Sequence, residues 1–92
     1  GSLLTAAIDL LDEGAEPEAI DGAIELAMGH AMGPLRTADM MGLDTVLEML
    51  RTLHDDTGQE RYRPPERLVQ MVRDGKLGRK TAEGFHDYPD TE

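Results

Sequence analysis

The stretch His30-Ala31-Met32-Gly33-Pro34-Leu35-Arg36-Thr37-Ala38-Asp39-Met40-Met41-Gly42-Leu43-Asp44 decides how this chain folds. Gly33-Pro34 reads as a break followed by a helix whose first position is proline, where a missing N–H costs no intrahelical bond. Gly42 reads as the residue that ends this short helix, because glycine takes the left-handed conformation at least cost. Thr45 and Glu48 then have capping-box spacing for the next helix, with Asp44 as the alternative cap. Two helix junctions within these fifteen residues make a tight corner. The helices on either side of it must fold back on one another.

Upstream of the corner, Leu3, Leu4, Ala7, Ile8 and Leu11 recur at helical spacing and make one apolar face, with Gly14 as a stop. Glu16-Pro17-Glu18 opens a second helix, with proline near its first position and acidic groups at the positive end of the dipole. Its apolar stripe reads Ile20, Ala23, Ile24, Ala27 and Met28, and Gly29 closes it. The third helix, Pro34–Met41, turns Leu35, Ala38 and Met41 to one side. The fourth runs from Thr45 to Asp56 with Val46, Leu47, Leu50 and Leu53 inward, and Gly58 ends it. Glu60-Arg61-Tyr62-Arg63-Pro64-Pro65 is an extended connector, since residues before proline avoid the helical region. A fifth helix covers Pro65–Asp74, with Leu68, Val69 and Val72 buried. The remainder reads as an ordered tail of turns anchored by Leu77, Phe85 and Tyr88, with a loose terminus of four residues. The expected class is all-α, with about five helices.

The chain has 92 residues, hence one domain with a small core. A net charge of -10 disfavours nucleic acid and anionic membranes as partners. The absence of cysteine excludes a disulfide framework and is compatible with a cytoplasmic location. No apolar run approaches the roughly 18 residues of a membrane span. Gly1-Ser2 reads as a cloning scar in front of a helix that starts at once.

Candidate chemistry is sparse. His30, His54 and His86 have no metal-ligand spacing, so no metal site is expected. His30 suits a helix C-terminus, His54 lies on a charged helix face, and His86 sits between apolar anchors and points outward. Asp39 stands out inside the short helix. It either caps a neighbouring helix or pairs with an arginine, or serves as an acid or base, for which no partner is visible nearby. Arg73, Lys76, Arg79 and Lys80 form a basic stretch that follows a helix instead of opening one, so the helix-terminus logic of anion binding does not apply. A solvated or partner-binding role suits them better. Met32, Met40 and Met41 are either core or the adaptable wall of an acyl pocket. No catalytic set is complete.

Four pieces in order nevertheless carry a resemblance: Ala7-Ile8-Asp9-Leu10-Leu11-Asp12-Glu13-Gly14; Ile20-Asp21-Gly22-Ala23 with the His30-to-Asp44 stretch; Tyr62-Arg63-Pro64-Pro65; and Gly75-Lys76-Leu77-Gly78-Arg79-Lys80-Thr81 through Gly84-Phe85 and Tyr88. The chain resembles the C-terminal helical domain of the 3-hydroxyacyl-CoA dehydrogenases, most of all the short 3-hydroxybutyryl-CoA type. It departs from the family pattern at Ala31 (proline in the family), Ala82 (glycine) and His86 (often tyrosine). If position 82 needs a positive φ, alanine strains that turn.

The resemblance implies that residues 3–88 are a domain that dimerises and closes one side of an acyl-CoA cleft, with Met32, Gly33 and Pro34 toward the substrate. It also implies an N-terminal Rossmann domain, absent from this sequence, that binds NAD and carries a catalytic His–Glu pair. A substrate-polarising asparagine is likewise expected, and the chain contains none. The fragment by itself is therefore expected to hold no catalytic or cofactor-binding residue and to be inactive. The competing expectation is a stand-alone, non-catalytic helical module used for assembly.

Overall fold

Proline and glycine divide the chain into five helices in the computed structural model, which describes residues 2–29 and 32–89. They are α1 (Ser2–Asp12), α2 (Pro17–Met28), α3 (Pro34–Met41), α4 (Leu43–Thr57) and α5 (Glu66–Arg73). The expected all-α class is what the described residues form. Pro17 and Pro34 each occupy the first turn of their helix, where the fixed φ of proline is already helical. The connector before α5 is not wholly extended, because Glu60–Tyr62 closes a single 3-10 turn ahead of the prolines. His30, Ala31 and residues 90–92 lie outside the described residues, so the helix-end reading of His30 and most of the loose terminus do too.

The core collects Ala7, Ile8 and Leu11 of α1, Leu35 and Ala38 of α3, and Leu43, Val46, Leu47 and Leu50 of α4. Ile20, Leu68 and Phe85 close it from α2, α5 and the tail. Burial of such side chains stabilises a domain by roughly 1.5–3 kcal/mol each. Arg67 of α5 reaches α1, its Nε donating to Asp12 Oδ1 at 2.6 Å.

Helix α4 starts at Leu43, two residues before the expected Thr45, and the capping box does not form. Gly42, at φ 95°, ends α3 and caps α4 at once. The direct turn buries Leu43 completely, and the Leu43 N–H donates to Leu77 O at 2.8 Å in the tail. Asp44 binds Lys80 Nζ at 2.9 Å, and this hydrogen bond holds its carboxyl below the usual range.

The expected stripe of α2 is also corrected. Ala23, Ala27 and Met28 are exposed, and the inward line runs through Pro17, Ile20, Asp21, Ile24 and Glu25. Two acids thus face inward, because α2 supplies polar contacts to α3 as well as apolar ones. Leu53 was expected inside and is 38% exposed, while Met41, expected as either core or pocket wall, is 47% exposed. They line a groove described below.

After α5 the tail folds into turns around a 3-10 turn, Arg79–Thr81, and two isolated antiparallel bridges, Gly78–Glu83 and Glu83–Asp87. Ala82 does have positive φ, at 66°, the strain expected of an alanine there.

Candidate functional site

Helix α3 has two working faces. One is polar, buried and fully hydrogen-bonded; the other lines an open apolar groove.

The polar face begins at the N-terminus of α3. A helix leaves its first N–H groups without intrahelical partners. Pro34 has none to satisfy, and α2 supplies carboxylates for the others. Glu25 Oε2 accepts from Gly33 N at 2.7 Å, while Asp21 accepts from Leu35 N at 3.0 Å and Arg36 N at 2.8 Å. Two acids one turn apart on α2 therefore cap α3 from outside its own sequence, and their charge suits the positive end of its dipole.

Asp21 has a third donor. His86 Nε2 lies 2.7 Å from Asp21 Oδ2. Arg36 Nη2 lies 3.4 Å from His86 Nδ1, and Glu18 Oε2 approaches the same nitrogen at 3.7 Å. With Nε2 carrying the proton, the imidazole donates to Asp21 and accepts from Arg36, so both ring nitrogens are used. His86 was expected to point outward. It is buried instead, because the tail turns its ring inward to meet Asp21.

Asp39 holds the same tail by its backbone. Its Oδ1 accepts from Phe85 N at 2.9 Å, and its Oδ2 accepts from His86 N at 3.0 Å and Tyr88 Oη at 2.7 Å. It neither caps a helix nor pairs with an arginine, and it is sealed from any substrate at 1% exposure. The space for it exists because the residues around it lack side chains. A Cβ on Gly84 would fall on Asp39 Oδ1, and one on Gly78 would strike the Asp39 backbone. Burial pushes the Tyr88 hydroxyl well above its ordinary range, helped by its hydrogen bond to Asp39 and by that carboxylate's charge. Among the described residues no buried side-chain N or O lacks a partner. Asp21, missing from the sequence-derived candidates, could have been noticed as an acid placed between Ile20 and Ile24.

The opposite face of α3 faces a groove between α1, α3 and α4, about 360 Å³ in volume. Leu3, Met32, Pro34, Met41, Met49 and Leu53 lie along it. Of the expected substrate-side residues, Met32 and Pro34 are in the lining. Gly33 is buried beside it, its Cα so close to Asp21 that a Cβ would collide with the carboxylate. The one hydroxyl in the lining, Thr37 Oγ1, is engaged with Gly33 O at 2.8 Å. Among the described residues the lining contains no acid, base or cation. It can take an apolar chain in the size range of small-molecule sites, but these residues offer no proton-transfer group.

Two of the four cations of the basic stretch are paired: Lys80 with Asp44, and Lys76 Nζ with Glu83 Oε2 at 3.5 Å. Among the described residues no His, Cys, Asp or Glu cluster could hold a metal ion, and no helix is long and apolar enough to cross a membrane.

Fold and site together define a small all-α domain with an open apolar groove and a tail braced by buried acids. A family profile described as 3-hydroxyacyl-CoA dehydrogenase, C-terminal domain, matches residues 1–88, and the chain belongs to this family. It is 52% identical over 87 residues to a probable 3-hydroxybutyryl-CoA dehydrogenase of Deinococcus radiodurans, covering 94% of this chain and 31% of that protein. It is 47% identical to the 3-hydroxybutyryl-CoA dehydrogenase of Bradyrhizobium diazoefficiens, covering 94% of this chain and 30% of that protein. The solved (S)-3-hydroxybutyryl-CoA dehydrogenase PaaH1 of Ralstonia eutropha superposes with a TM-score of 0.88 at 41% identity, covering 95% of this chain and 31% of that one. The chain thus spans about a third of the length of these relatives.

Proposed function

We propose that this chain is the C-terminal domain, residues 3–88, of an NAD-dependent dehydrogenase acting on short 3-hydroxyacyl-CoA thioesters, and that the groove is the wall it gives to the acyl cleft. The observation that carries the reading is the groove's composition. Met32 and Pro34 stand at its edge, its surface is apolar, and none of its described lining residues can move a proton. Such a surface can shape and desolvate an acyl chain while the reacting groups come from elsewhere in the complete enzyme. Gly33 belongs to this wall as the residue between Met32 and Pro34 whose bare Cα leaves room for the Asp21 carboxylate. The chain has no glycine-rich turn of the dinucleotide-binding type, so the cofactor is assigned to the N-terminal Rossmann domain.

The test compares the complete enzyme with its Met32→Glu variant in acetoacetyl-CoA reduction. A charge at the wall raises KM or abolishes turnover, and unchanged kinetics remove Met32 from the cleft. The 92-residue chain alone is expected to consume no NADH with acetoacetyl-CoA, and any consumption by pure chain overturns the division of labour.

A second role shares this surface. The surface continues along α4 as a shallow depression lined by Thr45, Glu48, Met49, Thr52 and Leu53. We assign that outer strip to packing against a second copy of the chain, giving a homodimer.

A further inference from the structure

We propose that His86 is a positioning residue for the groove: through Asp21 it fixes the first turn of α3, and with it the wall formed by Met32, Pro34 and Met41. The chain of contact is short. His86 Nε2 bonds Asp21 Oδ2 at 2.7 Å, and the same carboxylate receives Leu35 N and Arg36 N. Leu35 follows Pro34 directly, and Met41 lies at the far end of the same eight-residue helix. A rigid helix this short moves as one piece. Whatever rotates the Asp21 carboxylate shifts the end of α3 from which Met32 and Pro34 hang. Arg36 closes the loop by approaching His86 Nδ1 at 3.4 Å, so the ring is held from both sides. Among the described residues, the charged groups in contact with the imidazole are Glu18 and Asp21 from α2 and Arg36 from α3.

The positioning itself does not depend on what the groove binds; its consequence for an acyl ligand rests on the reading above. Two readouts keep these apart. The first uses the 92-residue chain with methyl-labelled methionines and no ligand. Met32, Met41 and Met49 line the groove, whereas Met71 packs on the core from α5 and serves as the internal control. His86→Ala is expected to shift the Met32 and Met41 methyl resonances while leaving Met71 in place. His86→Gln, whose amide can donate to Asp21 and accept from Arg36, is expected to restore them. Loss of stability alone would not sort the methyls in this way. Unmoved groove methyls in folded His86→Ala overturn the proposal, as does a glutamine variant that shifts them equally. If the alanine variant does not fold, His86→Asn is read by the same criterion.

The second readout measures S-butyryl-pantetheine binding by the complete enzyme and by the same variants of it. Weaker binding by His86→Ala and recovery by His86→Gln extend the role to the ligand. Methyl shifts in the chain without any binding by the wild-type enzyme leave the positioning standing and count against the acyl reading of the groove.

Discussion

His86 and Asp21, 65 residues apart in sequence, meet at 2.7 Å with 2% and 3% of their side chains exposed. The pair has the partners of a catalytic Asp–His couple without access to a substrate. Its acceptor oxygens are taken up by backbone N–H groups of α3, and its ring by Arg36. Buried polar networks of this kind rigidify a fold when complete and are costly when one member is removed.

Asp39 is the strongest test of that cost. Its two oxygens accept three hydrogen bonds from the tail. Asp39→Asn keeps the shape but turns one acceptor into a donor facing donors, so unfolding stability should fall by about 2–3 kcal/mol. Urea denaturation measures this, and a loss below about 0.5 kcal/mol would mean the tail is not held by this carboxylate. Gly84→Ala, which puts a Cβ on Asp39 Oδ1, should destabilise in the same assay.

Ala82 predicts a gain. At φ 66° and ψ 2° it occupies the left-handed region, which costs an L-residue about 1–2 kcal/mol. Glycine removes that strain but adds about 0.4–1 kcal/mol of unfolded-chain entropy. Ala82→Gly is therefore expected to stabilise by about 0.5–1 kcal/mol, read as a higher midpoint in thermal or urea unfolding. A lower midpoint would show that the strain is absorbed elsewhere.

Tyr88 predicts an alkaline weakness. Its folded value is raised, by burial first and by Asp39 second. Its contribution is then fully present below a pH of about 10, where the unfolded phenol starts to ionise. It is lost as the pH climbs towards the folded value. Stability measured across that range should fall for the native chain and fall less for Tyr88→Phe, which starts lower because Asp39 has lost a donor. Parallel curves would separate Tyr88 from the effect.

The outer strip of α4 predicts association. Met49 is 49% exposed and Leu53 38%, and they are the apolar side chains of this strip. Met49→Lys should lower the sedimenting mass of a dimer to that of one chain while leaving the helical circular dichroism unchanged. A wild-type chain that sediments as a single copy at all concentrations would remove the strip from any self-interface.

Much of this architecture is local and could be read along the chain. Pro17 and Pro34 start helices because their φ is already helical, and Gly42 separates α3 from α4 because it tolerates φ 95°. The apolar spacing of Ala7, Ile8 and Leu11, or of Val46, Leu47 and Leu50, set the buried faces before any contact was known. The strained turn at Ala82 was suggested only by the family resemblance, which has glycine there, and not by local sequence. Other features depended on which elements came together. The outward His86, the capping box at Thr45 and Glu48, and the buried Leu53 were all reasonable one-dimensional readings that packing reversed. Periodicity identifies an apolar face, but it cannot tell a face that meets another helix from one that borders a groove. Nor can spacing show that Asp21, Asp39 and His86 converge. Their partners are backbone N–H groups brought within reach only when α3 is pressed between α2 and the tail, and a hydrogen bond is specified by distance in space, not along the chain.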